Sequence, residues 1–444
     1  MKSINMFKKL FFCVSIGVFS LSFSQSINKE KLDTYFKTLD NDHKVMGSFA
    51  IADHGKVVYT NTIGFSDVES NRKADFNTIY RIGSITKTFT AVLIMKAVES
   101  KKLTLDTKLN QFFPQIKNAE KIKIEYLLNH RSGIHNFTND ALYTSYYLQP
   151  ISQEKLVDII QKGGSDFEPD AKFSYSNSNY SLLGFILEKI YNKPYSQLIE
   201  EYITKPLQLK YTRVGGKIDP SKAIANSYTY ENNTYVKSSE TDMSVPLGAG
   251  NLVSTASELI IFMNGLVSGK LISKESVEKM RKFKDHYGFG LAEVPFGGKM
   301  GFGHNGGIDH FSSILYYFPD GEKTFAMVSN QSNFDNNTIS IAALSAAYGK
   351  DFEIPNFTVI TLPENELQQF TGTYATAKMP MKIDVFVKDK ILMAQATGQE
   401  AFPLEATSKT SFKFDSAGIV INFSLAKKGL VLLQGSNNIV FTKE

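Results

Sequence analysis

Near Pro355 the sequence changes texture, and no single architecture accommodates both sides of the change. From about residue 27 to 350, helical periodicity alternates with short strand-like runs. After Pro355 no helical period appears. About seven short strand candidates follow one another between residues 370 and 442, among them 382–387, 391–396, 419–425 and 430–434, with turns at Lys388-Asp389 and Lys427-Lys428-Gly429. Runs this short, separated only by turn residues, predict a small antiparallel barrel or sandwich, with Phe402, Phe412 and Phe414 in its core. The stretch holding Pro355 and Pro363 reads as a linker. The expected organisation is therefore a first unit over 25–354, a linker over 355–366 and a β-domain over 367–444.

Within the first unit, 47–67 reads as a hairpin turning at His54-Gly55, and strands return at 311–318 and 323–329. Helices are expected at 84–99, 153–162, 179–191 and 255–268, the last capped by Ser254-Thr255. Strands from both ends of the segment enclose these helices. The expected class is α+β: an antiparallel sheet flanked by helices, with a helical subdomain, rather than successive βαβ units.

Residues 1–24 have the pattern of a secretory signal. Lys2, Lys8 and Lys9 precede an apolar run over 10–23, which is too short to span a bilayer and ends in Ser22-Phe23-Ser24. A cleaved peptide and a periplasmic or secreted product with no transmembrane segment are expected. The one cysteine, Cys13, lies inside this segment, so the mature chain would hold no disulfide, thiol nucleophile or cysteine-bound metal. Loss of three lysines and no acids lowers the formal charge from +5 to +2, too balanced for nucleic acid to be the main partner.

Three motifs carry candidate chemistry. Ser84 and Lys87, in "YRIGSITKTFTAVLIMKAVE", stand at i and i+3, which places both side chains on one helical face. A serine hydroxyl needs a base within reach, and a desolvated lysine can serve as one. Ser-x-x-Lys occurs six times, starting at Ser26, Ser70, Ser84, Ser152, Ser276 and Ser424. Only the copy at Ser84 follows a glycine turn and opens an apolar helix; Ser152 and Ser276 sit in polar, solvated-looking segments. Tyr175 and Asn177 form a Tyr-x-Asn in a polar loop before a helix, a pattern also present at Tyr59 and Tyr230. In "GFGHNGGIDHF" the glycines around His304-Asn305-Gly306-Gly307 leave backbone N–H groups open to an oxyanion, with Lys299-Met300-Gly301 a rival for that place.

Taken together and in this order, Ser84/Lys87, Tyr175/Asn177 and His304/Gly306 resemble the signatures of the serine β-lactamase and penicillin-binding superfamily. The likeness is to its class C β-lactamase-like group, which includes D-alanyl-D-alanine carboxypeptidases, D-aminopeptidases and esterases. Supporting segments are "IEYLLNHRSGIHNF", "PLGAGNLVSTASELIIFM" and "YGFGL". The tail resembles the lipocalin-like β-domain that follows some of these hydrolases.

The resemblance implies that Ser84 attacks a carbonyl and forms an acyl-enzyme, with Lys87 and Tyr175 sharing the proton transfers; which is the acylation base stays open. It implies an oxyanion hole from the backbone N–H groups of Ser84 and Gly307. It also implies that Asn177 orients a substrate amide and that His304 lines the far wall. Histidine in place of a permanently charged lysine at residue 304 moves the expectation from an efficient β-lactamase towards peptidases and amidases acting on D-amino-acid peptides. An esterase or weak β-lactamase on the same site is the alternative, and a non-catalytic penicillin- or peptidoglycan-binding scaffold is the alternative of another class.

His310 stands where many relatives of the group have glycine, with an effect left open. The loops 135–150 and 225–245 are expected to shape specificity. The partner would be a small molecule or peptide, including peptidoglycan fragments, with oligomerisation through the β-domain another option. No cofactor is expected and no metal: His130/His135 and His304/His310 form no His-Glu-x-x-His, and no Gly-x-Ser-x-Gly elbow occurs.

Overall fold

The structure is a computed structural model that describes residues 27–435 and 437–444. The signal-like segment 1–24 and Cys13 lie outside the described residues. A six-stranded antiparallel sheet forms the centre. Its strands are β1 (Val45–Asp53), β2 (Lys56–Ile63), β3 (Ala292–Phe296), β4 (Lys299–Ile308), β5 (Phe311–Phe318) and β6 (Lys323–Ser332), arranged in the order β3-β4-β5-β6-β1-β2. β1 brings the N-terminal hairpin beside β6, so both ends of the unit share one sheet.

β1 is apolar along its length because both of its faces are covered. Phe49 and Ile51 join Phe325 and Met327 of β6 against one helical layer, while Ala50 and Ala52 join Ala326 and Val328 on the opposite face. The first layer holds α1 (Lys29–Asn41), whose Leu32, Tyr35, Phe36 and Leu39 lie at helical spacing, and a C-terminal helix, Asn336–Ala347. Phe36 stacks on Phe49 with ring centres 4.1 Å apart, and truncation of such a core aromatic costs about 3–5 kcal/mol. The second layer holds α2 (Thr86–Glu99), α3 (Asn177–Tyr191) and α4 (Ala256–Val267), with Phe89 of α2 stacked 3.6 Å from Phe262 of α4.

The C-terminal strands close into an eight-stranded antiparallel barrel running from Gly372–Ala375 to Asn437–Lys443. Closure pairs Tyr374 with Lys443 and removes the sheet edges. Phe370, Phe412 and Phe423 fill its interior. Phe402 and Phe414 depart from the expectation of full burial. They are half-buried and stack on each other at 4.8 Å beside the core. The barrel meets the sheet end through Asp415, which lies 2.7 Å from Lys44 and whose carbonyl accepts from Asp335 N–H. Among the described residues no helix is long and apolar enough to cross a membrane.

Candidate active site

The nucleophile candidate is presented by a tight turn rather than by the helix proper. Tyr80–Arg81 is a short strand paired with Leu252–Ser254; a single 3₁₀ turn, Gly83–Ile85, then carries Ser84 into α2. Gly83 has φ +46°, and a Cβ there would come 2.8 Å from Gly307 N. A Cβ on Gly306 would come 2.1 Å from Ile82 O. These two missing side chains let β4 lie directly against the turn. Ser313 Oγ, on β5, donates to Ile82 O at 2.8 Å and ties the same turn to the sheet.

Ser84, Lys87, Tyr175 and Asn177 converge at this point. Tyr175 Oη donates to Ser84 Oγ at 2.9 Å. Lys87 Nζ is 3.0 Å from Ser84 Oγ, 2.8 Å from Asn177 Oδ1 and 2.7 Å from the carbonyl of Ala249. Lys87 is fully buried, and burial pushes its pKa well below the ordinary lysine value. Among the described residues its hydrogen-bond partners are neutral. The two carbonyl oxygens can only accept, so two N–H bonds of Lys87 go to them; in the neutral form of the amine this leaves the lone pair for the Ser84 hydroxyl. Burial moves Tyr175 the other way, well above the ordinary phenol value, so it keeps its proton. The amine and phenol therefore offer a proton acceptor and a proton donor on one serine oxygen.

Asn177 opens α3 instead of lying in the loop before it. Its N–H donates to Asn136 Oδ1 at 2.9 Å and its Nδ2 donates to Thr138 Oγ1 at 3.0 Å, which directs Oδ1 at Lys87. The other Ser-x-x-Lys copies in the described residues serve elsewhere. Ser152 caps a helix through Lys155 N–H, and Ser70 bonds Asp67. Ser276 is buried, not solvated, because it donates to Glu99 at 2.6 Å. Lys299, the rival to His304, is spent on an ion pair with Asp320 at the far end of β4.

A cavity of about 520 Å³ opens over Ser84. Gly307 lines it beside Ser84, the two residues whose backbone N–H groups are expected to form an oxyanion hole. Its outer wall is aromatic, with Phe137, Tyr143 and Tyr147 from the loop 135–150, while Ser239 and Thr241 come from 225–245. None of the lining residues comes from the barrel, and none is a lysine or arginine.

His304 departs from its expected place. Its ring is buried and is not among the residues lining the cavity, with Nε2 accepting from Tyr287 Oη at 2.9 Å and Nδ1 bonded to the carbonyl of Asn305. Burial lowers its pKa to about 4, so it is neutral near pH 7 rather than partly charged. It backs the Tyr175 ring and does not line the far wall. His310 is the histidine at the rim: it forms with Asp309 a two-residue hairpin turn in which both residues have positive φ, and Ser238 Oγ lies 2.9 Å from its Nδ1.

Other residues of the site gave little sequence signal. Arg81 is almost wholly buried and ties the rim residues Asp309, at 2.5 Å, and Thr241, through its carbonyl at 2.9 Å, to the segment of Gly216, whose carbonyl lies at 3.0 Å. An arginine between Tyr80 and Ile82 was the one local clue.

Residues 32–348 match the beta-lactamase family profile. The chain belongs to the beta-lactamase family. Within this family it is 26% identical to a penicillin-binding protein of Bacillus subtilis (strain 168), over 92% of this chain and 97% of the relative. It is 25% identical to the teichoic acid D-alanine hydrolase of Staphylococcus aureus (strain NCTC 8325 / PS 47), over 65% of this chain and 70% of that protein. Among solved structures, the octameric penicillin-binding protein homologue from Pyrococcus abyssi superposes with TM-score 0.67 at 25% identity, covering 94% of this chain and 99% of its own. Membership of the beta-lactamase family, with these relatives, makes the protein a serine hydrolase.

Proposed function

We propose that the protein hydrolyses esters or amides of D-amino acids through an acyl-enzyme on Ser84. The observation that carries this reading is Lys87: buried, without an acidic partner among the described residues, and 3.0 Å from Ser84 Oγ. In this account neutral Lys87 takes the Ser84 proton during attack, and the N–H groups of Ser84 and Gly307 hold the oxyanion. Tyr175 supplies a proton to the leaving group and recovers one through the Lys87 ammonium. Water then repeats the sequence on the acyl-enzyme.

The D-amino-acid class is supported by the named activity of the Staphylococcus aureus relative. The cavity lining narrows it further. Without a lysine or arginine the cavity offers no permanent cation to a terminal carboxylate, which favours esters and amides over a carboxypeptidase reaction. Release to the periplasm or exterior is supported by the signal-like residues 1–24, and assembly into an oligomer by the octameric relative.

Initial rates on D-alanyl and L-alanyl p-nitroanilides and p-nitrophenyl esters test the reading. D-selective hydrolysis that disappears in Ser84→Ala is expected. Equal rates on the two enantiomers would remove the D-amino-acid assignment, and full activity in Ser84→Ala would remove the mechanism.

A further inference from the structure

Tyr175 belongs to a stretch held on both sides by a single residue. Ser174 N–H donates to the carbonyl of His130 at 2.9 Å, and Ser176 N–H donates to His130 Nδ1 at 3.2 Å. Between these two bonds the imidazole packs against the phenol ring of Tyr175, with ring centres 4.3 Å apart. A backbone N–H can only donate, so Nδ1 carries no proton and His130 is the neutral Nε2–H tautomer. Asn179 Nδ2, 3.3 Å from the same nitrogen, requires the same tautomer.

The far side of the ring gives no comparable reason for a histidine. His130 is fully buried, and its Nε2 has no hydrogen-bond partner among the described residues. It faces a layer of rings that includes Tyr287 at 4.8 Å and Tyr180 at 5.2 Å. An unpaired buried N–H carries a desolvation cost that an apolar ring of similar size would avoid. The backbone at His130 also has φ +58°, which is uncommon outside glycine. Packing alone does not account for a side chain with one orphaned nitrogen. Bonds to residues on both sides of Tyr175 do.

We infer that His130 is a positioning residue for Tyr175: it brackets the Ser174–Ser176 backbone and backs the phenol ring, fixing the Tyr175 hydroxyl on Ser84 Oγ. This rests on the reading of Ser84, Lys87 and Tyr175 given above. His130 touches neither the cavity nor Ser84, so its effect on rate must pass through Tyr175.

Two substitutions separate the clamp from simple packing. His130→Asn keeps an acceptor, since Oδ1 is as many bonds from the backbone as Nδ1, and asparagine tolerates positive φ. His130→Phe keeps the ring volume but leaves Ser176 N–H without its partner. The experiment measures the rate of Ser84 labelling by a fluorescent fluorophosphonate, together with melting temperature. It compares both variants alone and in a Tyr175→Phe background, with Ser84→Ala alongside.

Displacement by about 1 Å near reacting groups costs on the order of 100-fold, so His130→Phe is expected to slow labelling by roughly 30- to 100-fold. His130→Asn is expected to recover most of that loss. In Tyr175→Phe, neither substitution should slow labelling further. An equal slowing with and without the Tyr175 hydroxyl, or no advantage of Asn over Phe, would overturn the inference. Should His130→Phe fail to fold, His130→Leu, which also lacks an acceptor, takes its place: its loss must exceed that of His130→Asn and vanish in Tyr175→Phe, and persistence there, or no loss, overturns the role. Labelling that survives in Ser84→Ala would instead overturn the underlying reading of the nucleophile.

Discussion

Two lysines are buried among the described residues, one in each half of the chain, and their neighbours differ in kind. Lys413, in the barrel wall, lies 3.0 Å from Asp415, and the same carboxylate takes Lys44 across the seam to the sheet at 2.7 Å. Lys87, beneath the cavity, is surrounded by a hydroxyl and two carbonyl oxygens. At the seam, burial is offset by opposite charge, and the charges fasten one unit to the other. Under the cavity no charged partner among the described residues offsets it, and burial lowers the Lys87 pKa instead. Arg81 follows the seam's pattern inside the catalytic unit: buried like Lys87 but paired with Asp309, it holds the rim in place.

The contrast predicts opposite outcomes for removing the two kinds of buried charge. Lys87→Met should lower kcat/KM by about 10³-fold, within the usual range for loss of a general base. The same variant should raise the melting temperature. Because the pKa of Lys87 is depressed below its ordinary 10.5, the unfolded chain binds a proton that the folded chain does not, so stability falls as pH falls below 10.5. Methionine removes that penalty. Calorimetry at two pH values checks the sign: wild type should gain relative to Lys87→Met as pH rises towards 10.5.

Asp415→Ala should do the reverse. It strands two lysines at a largely buried seam, for a loss of about 3–5 kcal/mol in a denaturant titration, with kcat of the folded protein unchanged. Arg81→Met leaves Asp309 buried without its cation, with a similar loss of stability. There the rate should fall as well, because Asp309 belongs to the rim. The smallest effect is expected at an exposed pair. Lys162→Ala removes a bridge to Asp158 on a solvated helix face, and a change under about 0.5 kcal/mol should be seen.

The difference between the two halves also explains what was legible in the sequence. Period-2 burial and turn residues are local, so most strands after residue 370 can be read, while closure, the eighth strand and the half-exposed places of Phe402 and Phe414 stay hidden. The strand Gly372–Ala375 is four residues long and is defined by pairing with both Lys382–Lys388 and Asn437–Lys443. In the catalytic unit, the glycine before Ser84 and the apolar helix after it singled out one of six Ser-x-x-Lys copies. Partners distant in sequence left no trace. Arg81 and Asp309 are 228 residues apart, and nothing local tells that one neutralises the other.

His304 was misplaced for a related reason. The motif places it on a strand but not its partner, and Tyr287, which receives it, stands 17 residues earlier in the "YGFGL" segment, where nothing local points to His304. In the sequence His130 is a histidine without a metal pattern and a member of the supporting segment "IEYLLNHRSGIHNF", with no role of its own. Its bonds to the Ser174–Ser176 segment appear only once that loop is folded over it.

The central claim is that Lys87 is neutral and serves as the base for Ser84, and the pH dependence of Ser84 phosphonylation in single turnover tests it most directly. The account predicts a rate already at its plateau near pH 7, falling only towards acid, with labelling absent in Ser84→Ala and strongly slowed in Lys87→Met. A rate that keeps climbing through pH 9–10, as an ordinary lysine gives up its proton, would contradict it.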